Sequence, residues 1–302
     1  MISMKVFQTL LLREWLQHRK GWLALGLIPV ALMFLATVFG TVDAYGDDPG
    51  EMSGAGLMMI VSFGTAMILL VLAVAATAFQ ASGLARRDQQ DRSIEFWLSL
   101  PVGQPQTLGA MLLMHVWLFP MMVVAIGLLG GLLIGPITVI KGLGLAGLTT
   151  MPWAALLVVI AAGTLRVFAG LVLAGLWALP FVLLMMAASA WLKRWGVPVL
   201  VAVVGVGGMV LKEYYGQAWL LDSVKALADN VGAALFPGAA GDAGFHLEEK
   251  TVLSGQLDGI APWLMADLQQ RVADLASPWL LLALALSAAG AWGVLYRRQQ
   301  GR

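Results

Sequence analysis

The 302-residue chain contains no cysteine. That excludes disulfides, cysteine-ligated zinc, iron–sulfur clusters and thiol catalysis. It is also poor in charge, with 12% Asp, Glu, Lys and Arg against 60% hydrophobic residues. A soluble domain carries about a quarter charged residues, and so few here could not cover its surface in water. An ordinary water-soluble enzyme and a disordered chain are therefore excluded. A basic nucleic-acid binder is excluded as well, since the net charge is only +1. The three histidines, His18, His115 and His246, lie far apart, and their spacing suggests no metal site. No Walker A pattern occurs, so the chain is not read as an ATPase. No hydrolase motif is visible either. Gly142 to Gly147 fits Gly-x-Gly-x-x-Gly, but it sits in an apolar run without a preceding strand or a following acid, and it is read as coincidence. The acids Asp47, Asp48 and Glu51 are read as a solvated turn rather than a cation site. No internal repeat is evident, which argues against a carrier built from inverted repeats.

What the sequence has in abundance is long apolar runs. An all-α integral membrane protein is predicted, because in lipid the backbone must satisfy its own polar groups. Residues 1–20 place Val6, Phe7, Leu10, Leu11 and Trp15 at helical spacing with Arg13, Glu14 and Gln17 between them, and read as a retained amphipathic helix in the membrane interface. Six spans are expected, about 21–42, 56–79, 108–134, 167–192, 197–215 and 278–295, each near the ~20 residues a bilayer needs. The apolar stretch 151–165 is too short for a span and is expected to be re-entrant or interfacial. The third span carries Gly127, Gly131 and Gly135, a series that lets another helix approach closely. Pro29, Pro120 and Pro180 are tolerated in such helices. The whole chain, 1–302, reads as one transmembrane domain, with a cytoplasmic loop over 81–107 and an outer-face segment over 216–277.

Charge sets the expected topology. With both termini inside, twelve of the eighteen basic residues face the cytoplasm, among them Arg13, Arg19, Lys20, Lys193, Arg194, Arg297 and Arg298. Thirteen of the seventeen acids face outward. The basic excess obeys the positive-inside rule. His115 is the one ionisable residue read as lying well inside a span; a packed, neutral imidazole is the preferred reading there.

The informative stretch lies between the second and third spans. After Arg86 and Arg87 come Asp91, Arg92, Ser93, Ile94, Glu95, Phe96, Trp97, Leu98, Ser99, Leu100, Pro101 and Val102. The pattern predicts a short helix bearing Ile94, Phe96, Trp97 and Leu98, stopped before Pro101. The physical reading leaves two roles open, a surface gripped by a partner or an interfacial helix with its aromatics among lipid headgroups.

Asp91, Ser93, Phe96, Ser99, Leu100, Pro101 and Val102 resemble the cytoplasmic loop of ABC-2 type transporter permeases, the membrane subunits of type-2 ABC exporters. The order of parts is similar over most of the chain, apart from the large segment 216–277. The resemblance implies a dimer, most simply a homodimer, on two copies of a separate ATPase subunit that would bind ATP and magnesium. Residues 91–101 would couple to that ATPase, and the N-terminal helix would touch it too. This chain itself would hold no cofactor and catalyse nothing. The implied substrate path follows the second and fifth spans, here with Ser62, Thr65, Thr77, Gly205, Gly207 and Gly208 among Met, Val and Leu. Such a lining suits an amphipathic or lipid-like cargo. The expected location is a bacterial cytoplasmic membrane, with lipid and an extracytoplasmic protein as further partners. The alternative is a scaffold or sensor that passes ATPase-driven movement to an outer-face partner through 216–277. A lipid-processing membrane enzyme would need clustered catalytic groups at one depth, which the sequence does not show.

Overall fold

The computed structural model describes residues 4–42, 52–90, 103–238 and 255–300. Among these, every regular element is helical. The order is α1 (Met4–Phe39), α2 (Gly54–Gln90), α3 (Gln104–Leu112), a π-helical turn (Leu113–Leu118) and α4 (Phe119–Thr149). Then come α5 (Trp153–Leu192), a 3₁₀ turn (Lys193–Trp195), α6 (Gly196–Tyr215), α7 (Trp219–Leu235), α8 (Ile260–Ala273), a second 3₁₀ turn (Asp274–Ala276) and α9 (Pro278–Gln300). Five helical stretches are long and apolar enough to cross a membrane, and the fourth of them, Trp153–Tyr215, contains both α5 and α6.

The glycine series decides the closest helix pair. A Cβ at Gly131 would lie 2.5 Å from Ser62 Cα, and one at Gly127 would lie 2.9 Å from Ala66 Cα. Gly135 stands the same way against the Met58 side chain. Residues 58, 62 and 66 of α2 thus meet 135, 131 and 127 of α4 in antiparallel order, and the two backbones touch because no side chain separates them. The expectation of a close approach is met, with α2 as the partner.

α5 is the hub of the bundle and packs on α2, α6, α7, α8 and α9. At one end, Ala81 and Leu84 of α2, Leu108 and Met111 of α3, Met186 of α5 and Val294 of α9 form a single apolar cluster. Lys193, Arg194, Arg297 and Arg298 lie on the α5 and α9 termini of this end. At the opposite end, Ala55 and Met58 of α2, Val139 of α4, Leu156 of α5, and Ile260 and Leu264 of α8 form another. There the Lys141 ammonium donates to the carbonyls of Thr37, Val38 and Gly40 at 2.7–2.8 Å. It satisfies the carbonyls left over at the end of α1, where a cation also suits the helix dipole.

Three expectations need correction. Residues 4–20 are not a separate helix, because α1 runs unbroken from Met4 to Phe39. Leu10, Glu14, Trp22 and Gly26 are buried along one i, i+4 stripe of it, and Gly21 interrupts nothing. Glu14, expected on the polar face, belongs to that stripe and is 1% exposed. Residues 151–165 do not form a short segment of their own, because Trp153 opens a helix that runs to Leu192. α4 is broken by a kink at Gly144 (φ 72°, ψ −176°) and ends at Thr149, the chain turns through Thr150–Pro152, and α5 then continues through Arg166 to Leu192. At 40 residues α5 is about 60 Å long, roughly twice the hydrocarbon thickness. By contrast the fifth predicted span agrees closely with α6. It ends at Gly216 (φ 64°), whose N–H donates to Lys212 while Gln217 N–H donates to Leu211. This left-handed stop favours glycine.

Candidate functional site

The π turn has a local cause. Pro120 has no N–H, and the bonding register here is i→i−5, as shown by Phe119 N–H donating to the Met114 carbonyl. In that register Pro120 would have served the His115 carbonyl. The Thr77 hydroxyl of α2 stands 3.3 Å from that carbonyl and 2.9 Å from the Ala73 carbonyl, so one proton is shared between two acceptors. The extra residue in the turn rotates the side chains before it by about 100° relative to those after it.

This rotation aims His115 at α1. Its ring lies edge-on to His18 at 4.8 Å and to Trp22 at 5.2 Å between centroids. His18 in turn stacks on Trp22 at 5.0 Å, and Trp22 stacks on Phe119 at 4.8 Å. Glu14 lies one turn before His18 and holds the Arg13 guanidinium through Oε1. His115 was expected as a packed imidazole, and it is buried. The structure also gathers Glu14, His18 and His115, with one ligand-type atom of each within 4.8 Å of the others. The sequence signal was the i, i+4 pair Glu14 and His18 on the same stripe as Leu10 and Trp22.

A second polar centre was missed entirely. Arg166 is fully buried within α5, its Nε donating to Asp267 Oδ2 of α8. Its other nitrogens donate to the carbonyls of Ala234 and Ala233 at 2.8 and 3.0 Å. Those carbonyls belong to the last turn of α7, so one guanidinium pairs a buried carboxylate and caps a helix. Gly238 N–H reaches Asp267 Oδ1 at 3.3 Å, and Arg271 lies 3.8 Å from the same oxygen while bonding Asp274. The apolar run that begins at Met151 is interrupted by Arg166. Internal neutralisation lets the helix pass through it.

The residues expected to couple to an ATPase, Asp91 to Pro101, lie outside the described residues. Their flanks are α2, which ends at Gln90, and α3, which begins at Gln104. The six path residues do not form one surface in a single chain. Ser62 and Thr65 are 1% exposed and face into the bundle, and the α2–α4 contact covers Ser62. Thr77 borders an apolar cavity of about 160 Å³ between α2, the π turn and α5, lined also by Val74, Val116, Pro120, Gly175 and Val182. Gly208 packs under Leu221 of α7, whereas a Cβ at Gly205 or Gly207 would meet nothing within 4 Å. A further apolar cleft, of about 300 Å³, opens between Phe63, Met67, Gly163, Val167, Trp263 and Leu264.

Neither the protein-family models, nor the curated proteins, nor the solved structures contain a match to this chain.

Proposed function

We propose that the chain is the membrane subunit of an ATP-driven transporter of the ABC-2 type. The observation that carries this reading is the Asp91–Val102 sequence between α2 and α3, whose adjoining ends share a cluster with α5 and α9 at the basic end. Movement imposed on that loop would enter the bundle through α2 and α3 together.

In this reading α1, α2, α3–α4, α5, α6 and α9 are six spans with both termini in the cytoplasm. Aromatic side chains support the placement. Trp191, Trp195, Trp292 and Tyr296 are exposed at the basic end, and Tyr214, Tyr215, Trp219 and Trp279 at the other. Trp and Tyr gather at the two bilayer interfaces. α6 fits between its flanking aromatics with 20 residues, about 30 Å. Arg166 then lies some 40 Å up α5 from Lys193, at the outer margin, where α7 and α8 cover it. The ATP and magnesium sites would lie on two copies of a partner ATPase. An amphipathic or lipid-like cargo suits the apolar cavity and cleft, and a bacterial cytoplasmic membrane suits the basic bias.

Phe96→Ala combined with Trp97→Ala is expected to weaken ATPase docking by about 2 kcal/mol, roughly 30-fold, while leaving the helices intact. Gentle purification with mass spectrometry, and ATP turnover of the complex, measure this. A helical, inserted variant that retains its ATPase fully would sink the proposal.

The dimer has its own test. α6 leaves Val199, Val203, Val206 and Val210 exposed at i, i+4, i+7 and i+11, a seam that a second copy could cover. The chain is free of cysteine, so Val206→Cys introduces a single thiol. Crosslinking of most of the protein into dimers is expected for Val206→Cys and not for Leu284→Cys on α9. Equal crosslinking at both positions would remove the α6 dimer.

A further inference from the structure

We infer that Glu14, His18 and His115 form a binding site for a divalent transition-metal ion, with zinc the best fit. The inference is independent of the transport reading. Two imidazoles and a carboxylate, contributed by α1 and the π turn, converge with one ligand atom of each within 4.8 Å of the others. Ligands of one tetrahedral zinc ion stand about 3.3 Å apart, a difference that small rotations of buried side chains can close. Glu14 and His18 are one helical turn apart, the spacing that puts two ligands on one face.

The surroundings are those of a ligand set. His115 Nδ1 lies 3.0 Å from the Met111 carbonyl. A proton on that nitrogen donates to the carbonyl and leaves the Nε2 lone pair for a metal, the arrangement by which outer contacts fix a ligating histidine. His18 Nδ1 lies 3.1 Å from the Glu14 carbonyl and 4.0 Å from its carboxylate. Arg13 holds Oε1 of Glu14, which orients the carboxylate with Oε2 toward His18. Trp22 stacks on His18 and is itself backed by Phe119. Imidazole with carboxylate selects zinc, cobalt, nickel or copper over magnesium and calcium. Three protein ligands leave a fourth position for water. The π turn strengthens the case, because an undistorted helix would aim His115 about 100° away from its present direction relative to Phe119. A bound ion would tie α1 to the π turn at the basic end of the bundle.

The test uses the full-length chain in detergent or nanodiscs, stripped with a chelator and titrated with Zn²⁺. One ion per chain is expected, along with a raised thermal midpoint. Glu14→Gln, His18→Phe and His115→Ala are each expected to weaken binding at least about 100-fold and to abolish the thermal shift. His18→Phe keeps a ring against Trp22, so it separates lost ligation from lost packing. X-ray absorption of the zinc-loaded wild-type chain needs no variant and should show two imidazoles in the metal shell. Absence of Zn²⁺ binding by the folded wild-type chain, affinity within threefold of it in all three variants, or a shell without imidazole would each overturn the site.

Discussion

Arg166→Met is expected to destabilise the protein by about 3–5 kcal/mol, because it leaves a buried carboxylate without its partner. Asp267 is 2% exposed, and Arg166 is its closest cation, with Arg271 at 3.8 Å. The substitution also strips donors from the Ala233 and Ala234 carbonyls at the end of α7. Arg166→Lys should fall between, since one ammonium cannot span three acceptors as a planar guanidinium does. The double change Arg166→Met with Asp267→Leu should recover most of the loss, because an apolar pair can replace a buried ion pair. It should remain short of wild type by about 1–3 kcal/mol for the uncapped carbonyls. Unfolding in mixed micelles gives all three values. If Arg166→Met unfolded within 1 kcal/mol of wild type, the cap over this end of α5 would rest on something else.

The second large effect falls on the α2–α4 contact. Gly131→Ala is expected to cost more than about 2 kcal/mol, and Gly131→Leu to prevent folding. A Cβ there meets Ser62 Cα at 2.5 Å and the Ser62 and Val61 carbonyl oxygens at 2.8 Å. These are backbone atoms, so no rotamer change relieves the clash and the helices must separate. Gly64→Ala in α2 is the control. A Cβ at Gly64 meets nothing within 4 Å, so that change should be neutral or stabilise by up to about 1 kcal/mol through helix propensity. Folded yield and thermal midpoints of the two alanine variants, measured side by side, decide the matter. Equal stability would show that the α2–α4 spacing is not set by Gly131.

Helices 6 and 9 were legible in the sequence because each is bounded by local signals, whereas α2 runs to Gln90, past the end expected near 79. Gly216 stops α6, Pro278 starts α9, and the apolar face of α7 repeats at 3.6 residues. The boundary placed at residue 20 differs because α1 continues through the exposed Arg19 and Lys20 with its buried stripe unbroken. The one around 151–166 differs because Arg166 is carried inside the bundle by partners remote in sequence. Arg166 reaches Asp267 across 101 positions, and Lys141 reaches α1 across more than 100. Glu14 is compensated by its neighbour Arg13, but only the packing of α1 on the π turn shows that its side of the helix is buried.

Composition alone determined that the chain is a helical, membrane-compatible protein, because 60% apolar residues and 12% charge leave no aqueous fold. The Asp91–Val102 motif is likewise a property of consecutive residues and needs no fold to be read. Which polar groups meet was decided only in three dimensions. Glu14, His18 and His115 lie within reach of one ion because the π turn before Pro120 places His115 against α1. Arg166 can be buried because α7 and α8 bring two carbonyls and a carboxylate to it. Local sequence encodes the period and length of each helix. The pairing of charges between helices is a long-range contact, and it exists only once the bundle has closed.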